Sequence, residues 1–409
     1  MTAAVDTRTP VVVLAGNVPV SGGSLAIART LGRLGVPTYL VTGVRSRTPT
    51  SASRYWSKTI RCDFSQPEHV SLAFLSTVGR EIRQRHGTYP LLLTAEDWPA
   101  VFIERHTAAL EQEFRFPRAK KPVIHRLANK WTMHALATEH NIPTPQTSFP
   151  QSTTDVEDFL ETNPFPVVIK PADPYGPHMP EKRIIDSRRD LMSMVAREQS
   201  YGTLNFVLQE YIPGDAPTVW MCNGYFGIDD ATPYVFTGRK IRQQSPMGVA
   251  LLSVCLPNKT VETQTRSFMT SIGYRGCVGI GYRYDRRDGL FKLLDVNPRI
   301  SGVFRLFSAA DGMDPVRACY LDLTGQNPLP IVPRVGRKLM FEGDILKSLA
   351  AVKSGQLTIP AWRQSLKGVR ELQWYAPDDP KPLLVWVANG VRKAVGGPAG
   401  RFQRQFGAR

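Results

Sequence analysis

Asp295-Val296-Asn297-Pro298-Arg299 carries the residue types in this 409-residue chain best suited to chemistry. The apolar run Phe291 to Leu294 reads as a buried strand. Side chains of a strand alternate with a period of two, so Asp295 and Asn297 share one face. Pro298 ends the ladder, and Arg299 follows on the outgoing loop. A carboxylate and an amide oxygen side by side suit a hard cation such as Mg²⁺, which takes oxygen ligands. A guanidinium just beyond is placed to grip a phosphate or carboxylate through two parallel hydrogen bonds. A strand end running into a polar turn would carry the same letters, so other segments must decide.

Pro166 to Pro171 is an apolar run closed by Lys170. A lysine held against a core costs free energy unless an anion compensates. Phe206 to Asp215 reads as a strand ending in Gln209 and Glu210, followed by Ile212 and the turn Pro213-Gly214-Asp215. Alternation puts Lys240 and Arg242 on one face of an extended segment, either to meet phosphate oxygens or as a solvated charge run. Asp285 to Gly289 is a hairpin turn between two apolar runs, Val278 to Tyr284 and Phe291 to Leu294. Leu91 to Leu93 is a buried strand ending in Glu96 and Asp97, which either line a ligand crevice or sit at a helix N-terminus.

These segments, in this order, resemble the ATP-grasp superfamily, most closely D-aspartate-ligase-like, carbamoyl-phosphate-synthase-type ligases. The resemblance rests on Lys130 before Ile142-Pro143-Thr144-Pro145, on Lys170, on Gln209 to Asp215 and on Asp295 to Arg299. It implies an α/β chain: a Rossmann-like domain over 1–120, ATP-grasp subdomains over 121–205 and 206–325, and a C-terminal extension over 326–409. The cofactors implied are ATP and Mg²⁺, with Mn²⁺ an alternative. The resemblance assigns Lys130, Lys170, Lys182, Gln209, Glu210, Ile212 and Asp215 to the nucleotide, and the loop Ala172 to Pro180 to a flap over its phosphates. It assigns Asp295 and Asn297 to metal, and Arg299, Lys240 and Arg305 to the reacting groups. The family's further metal-binding Glu falls at Gly281, which leaves Asp285 as its substitute. The implied reaction makes an acyl phosphate from a small carboxylate and ATP and passes the acyl group to an amine. A catalytically degenerate, ATP-binding regulator is the alternative.

The elements that position these residues follow from pattern. Val11 to Ala15, a helix Ser24 to Leu34 and Pro37 to Val41 form a β-loop-α-β opening that predicts a parallel sheet of Rossmann type. No Gly-x-Gly-x-x-Gly and no acid closing the second strand support a nicotinamide site. Helices are expected at Lys130 to Glu139, Val261 to Ile272, Val303 to Ala310 and Pro315 to Leu323. Strands are expected at Thr218 to Met221, Tyr225 to Ile228 and Pro233 to Thr237, with small β-pieces within Arg337 to Ile345 and Gly368 to Tyr375.

Net charge is +16, with 51 Lys and Arg against 35 Asp and Glu, which favours an anionic partner. Aromatics are not interleaved with the basic residues as in nucleic-acid modules, so nucleic acid is set aside. The five cysteines lack Cys-x-x-Cys spacing and fit a reducing cytoplasm. Residues 1–10 lack a signal-peptide pattern, and no apolar run approaches the ~20 residues needed to span a bilayer. Pro382 to Arg409 contains no acid and combines Leu383, Leu384, Trp386, Val387 and Val391 with basic residues. Such a segment either packs on its own domain or lies on an anionic membrane. Substrate identity and oligomeric state have no signature in the sequence.

Overall fold

The computed structural model describes residues 5–119, 121–173, 179–202, 204–227, 234–327 and 332–395. Three sheets carry the chain. The first is parallel, β1 (Val11–Gly16), β2 (Thr38–Thr42), β3 (Trp56–Arg61) and β4 (Leu91–Leu93), in the order β3-β2-β1-β4. Strands β1, β2 and β4 are buried throughout, because side chains packed from both faces leave them no solvent side. Ser21 caps the following helix, Gly22–Gly32, by accepting from the Ser24 N–H. This is the expected Rossmann-like opening.

The second sheet comprises β5 (Thr147–Ser148), β6 (Val167–Pro171), β7 (Arg183–Ile185) and β8 (Phe206–Glu210), antiparallel in the order β5-β8-β6-β7. Val167, Ile169, Phe206 and Leu208 pack on the helices Thr153–Thr162 and Arg188–Gln199. The strand period then turns Lys170 and Gln209 to the opposite face. β8 pairs with β5 and β6 in this sheet, so its end at Glu210 lies at the sheet's border.

The third sheet runs β13-β12-β9-β10-β11-β14-β15. Its strands are β9 (Val219–Phe226), β10 (Tyr234–Gln243), β11 (Ala250–Cys255), β12 (Gly276–Asp285), β13 (Leu290–Asn297), β14 (Lys338–Met340) and β15 (Val369–Leu372). Residues 219–226 form one strand instead of two pieces. The C-terminal extension supplies β14 and β15 and so completes this sheet rather than standing apart. It is also clamped to the first domain: Arg29, 1% exposed, donates to Asp379 (3.0 Å) and to the carbonyls of Gln373 (3.1 Å) and Trp374 (2.6 Å). The helices Lys130–Glu139 and Pro315–Leu323 form as read, and Lys259–Ser271 within a few residues. Val303 to Ala310 is not a helix but holds a single 3-10 turn, Phe304–Phe307. Of the expected flap, residues 174–178 lie outside the described residues, as do Ile228, Pro233 and the tail beyond Val395.

Candidate active site

The site forms where the free face of the second sheet meets β13. Lys170, 8% exposed at the end of β6, donates to Gln209 Oε1 (2.7 Å) and to the Leu294 carbonyl (3.2 Å). It therefore lies beside Asp295. Lys130 reaches the same carboxylate from the first turn of its helix, forming an ion pair with Asp295 Oδ1. Asn129 caps that helix, and the Lys130 N–H donates to the Ala172 carbonyl (2.8 Å), which ties the helix to the end of β6. Asn297 Nδ2 donates to Asp295 Oδ2 (3.1 Å) and Arg299 Nη2 to Asn297 Oδ1 (3.1 Å), so the three residues of the motif act as a chain of contacts.

Electrostatics bind the cluster further. Enclosure would raise the Asp295 carboxyl, but Lys130, Lys182 and Lys170 outweigh it and hold Asp295 down at about 2. Burial, reinforced by Lys182 and Lys130, pushes the Lys170 ammonium down to about 7. Burial, with Lys182 and Arg283 adding repulsion, lowers Lys240 to about 8. Lys182 is lowered by enclosure and Lys130, while Asp295 opposes the change. Lys130 pairs with Asp295, Lys170 lies beside it, and the charges of Lys182 and Lys240 act on the same carboxylate, an imbalance that a polyanion would correct.

Several sequence expectations land elsewhere. Arg242 does not share a face with Lys240, because the ladder slips between them. It binds Asp344 through two bonds (2.8 and 2.5 Å). Arg305 is engaged by Glu371 (2.6 and 3.1 Å) and Thr30 (2.7 Å), whereas Arg299 bonds to Asp97 and Asn297. Asp285 is not brought to Asp295: it sits at the opposite end of β12, opposite Leu290, and is held by Arg287 (2.6 Å) and Lys292 (2.9 Å). Glu210 belongs to the same ionic knot, at 2.7 Å from Arg287 and 3.0 Å from Lys292. Ile212 is buried with its carbonyl taken by Arg283 (2.9 Å), whereas Asp215 is exposed. Gly281 stands opposite Asp295, and a Cβ added there would meet nothing nearer than Asp295 Cβ at 4.0 Å.

One residue at the site carries no signal in the motifs, and another takes a partner that the sequence does not name. Arg283, 5% exposed, holds the carbonyls of Ile212 and Gly214 (both 2.9 Å) and so fixes the turn after β8. It stands inside an apolar strand, the pattern that flagged Lys170. Asp97, raised only as a crevice-lining or helix-start acid, pairs with Arg299 (2.8 Å) across the domain boundary. Beside it, burial pushes the Glu96 carboxyl up to about 7, against hydrogen bonding from Ser21 and the Arg299 charge. The Ile300 N–H donates to the Thr94 carbonyl (3.2 Å), which seats the end of β4 against the loop after Arg299.

Asp295 and Asn297 bring the oxygen types that Mg²⁺ takes, their oxygens here accepting from Lys130, Asn297 and Arg299, and phosphate and water customarily complete such a shell. Among the described residues no group of three or more His, Cys, Asp or Glu is placed to hold a metal by itself.

No family model matches the chain. It is 26% identical over 260 residues to a D-aspartate ligase of Enterococcus faecium, an alignment covering 60% of this chain and 62%, under two thirds, of that relative. Its structure is similar to an L-amino acid ligase of Bacillus licheniformis, with a TM-score of 0.59 at 14% identity over 81% of this chain and 79% of the other. It is also similar to an ADP complex of N5-carboxyaminoimidazole synthetase from Staphylococcus aureus, with a TM-score of 0.59 at 13% identity over 82% and 83%. A biotin carboxylase domain from Hydrogenobacter thermophilus, bound to ADP and its magnesium salt, gives 0.57 at 14% identity over 80% and 73%. The chain therefore shares the fold of these ATP- and ADP-binding ligase and carboxylase structures and is similar in sequence to a D-aspartate ligase.

Proposed function

We propose that the protein is an ATP-dependent carboxylate–amine ligase acting on small molecules through an acyl phosphate. The observation that carries this reading is the convergence of Lys130, paired with Asp295, and Lys170, bonded to the Leu294 carbonyl beside it (3.2 Å), with Lys182 and Lys240 adding charge to the same cluster. Lys130 and Lys170 hold the α- and β-phosphates, Lys182 adds charge on the nucleotide side, and Lys240 serves the reacting groups. Asp295 and Asn297 would hold one Mg²⁺, which when bound neutralises phosphate charge. Gly281 leaves that site without a further carboxylate.

Arg299 faces the substrate carboxylate and stabilises charge on the acyl phosphate, with Asp97 fixing its orientation. Glu96 is suited to take the proton from the incoming amine, since a carboxyl near 7 is balanced between holding and releasing a proton at neutral pH. The alignment to a D-aspartate ligase and the similarity to an L-amino acid ligase point to an amino acid as one partner. A panel of acids and amines with MgATP, read by ADP release, tests this. Turnover that needs both an acid and an amine and disappears in Asp295→Asn is expected. Nucleotide binding without turnover across the panel would instead favour a regulator.

A further inference from the structure

Residues 338–395 hold an unusual share of the exposed apolar side chains. The helix Gly343–Lys353 is built inside out. Its buried residues are Asp344 and Ser348, Asp344 being held by Arg242, while Ile345, Leu346 and Leu349 face solvent. The helix Lys381–Val395 turns Pro382 and Trp386 inward, Trp386 against the Phe341 ring at 5.8 Å. It presents Leu384, Val387 and Val391 outward, spaced three and four residues apart on one side. Of fifteen exposed large apolar side chains among the described residues, eight fall between Ile345 and Val391. Scattered apolar residues are normal on a soluble surface, but such a concentration calls for a partner.

Charge identifies the partner. All five acids of this stretch are occupied within the protein. Glu342 accepts from the Trp374 and Tyr375 N–H groups, and Asp344 from Arg242. Glu371 binds Arg305 and Arg337, Asp378 binds Arg33, and Asp379 binds Arg29. The exposed charges are basic and include Lys353, Arg363, Lys381 and Arg392. We infer that this face docks on an anionic lipid bilayer, with the apolar stripes at the acyl boundary and the basic side chains among the headgroups. A nucleic acid would satisfy the charges but leave Leu346 and Leu384 in water. A second copy of the chain would bring the same positive charge against itself.

Sedimentation of the full chain with phosphatidylcholine vesicles, with and without phosphatidylglycerol, tests the inference. Binding about tenfold stronger to the anionic vesicles, and weakened by salt, is expected. The combined variant Leu346→Gln, Leu349→Gln, Leu384→Gln, Val387→Gln should lose that binding while its melting temperature and nucleotide binding hold. Should that variant fold poorly, Lys381→Ser with Arg392→Ser provides the second reading, with reduced binding to anionic vesicles only. Failure of the wild type to sediment with either vesicle would overturn the inference. So would binding that survives the substitutions, or a dimer in light scattering that the substitutions dissolve.

Discussion

A charged side chain at the end of a buried strand is decided by what stands around it, and Lys170 and Arg283 show two outcomes. Arg283 finds the carbonyls of Ile212 and Gly214 and becomes a fixed brace. Lys170 finds Gln209 and a carbonyl, with further ammonium groups nearby, and its ammonium is pushed down to about 7. Replacing Arg283 by Met should strand two carbonyls and loosen the turn, at about 1–3 kcal/mol, measurable by denaturant unfolding. The proton transfer proposed for Glu96 predicts a rising limb in the pH dependence of the reaction. The Glu96 carboxylate forms as pH rises through about 7, so kcat/KM should climb up to about tenfold per unit below that point, before Lys170, also lowered to about 7, loses its charge. In Glu96→Gln that rising limb should be absent. The same raised carboxyl makes the fold lose stability as pH rises from the ordinary carboxyl range through about 7.

At the scale of elements, alternation along a strand located much of the site and misplaced part of it. It put Asp295 and Asn297 on one face correctly, since β13 stays regular from Asp295 to Asn297. It put Arg242 beside Lys240 wrongly, since β10 slips register between them, and no residue type announces that slip. Asp285 failed for a related reason: sequence closeness to Gly281 says nothing about which end of a hairpin faces the cleft. The glycines of β12 separate two demands. A Cβ at Gly279 would lie 2.8 Å from Ser301 Cβ, whereas Gly281 has room. Gly279→Ala should therefore destabilise the protein, and Gly281→Ala should stabilise it by about 0.5–1 kcal/mol. Thermal unfolding of the two variants side by side checks the opposite signs.

Across the whole molecule, the legible parts were those encoded locally. The Rossmann-like opening, the helix Lys130–Glu139 and the hairpin around Gly289 each carry their own periodicity and turn residues. The illegible parts depend on partners hundreds of residues away. Nothing in the string ties Arg29 to Asp379, or tells that β14 and β15 extend the large sheet. The Arg29–Asp379 pair is buried at both ends and joins the first and last parts of the chain. Asp379→Ala should cost about 3–5 kcal/mol, because it leaves a buried guanidinium short of its counter-charge. Arg29→Met with Asp379→Ala should recover part of that loss, which a double-mutant cycle would report.

Lys170 and Asp295 meeting one triphosphate is the claim on which the functional reading rests, and the two residues predict different signs. Calorimetric titration of ATP with Mg²⁺ and with chelator, on the wild type, Lys170→Met and Asp295→Asn, separates them. Lys170→Met should weaken binding by about tenfold or more in both conditions. Asp295→Asn should weaken MgATP, by loss of a metal ligand, yet tighten metal-free ATP, by loss of a repelling carboxylate. Asp295→Asn affinities equal to wild type in both conditions would contradict the account.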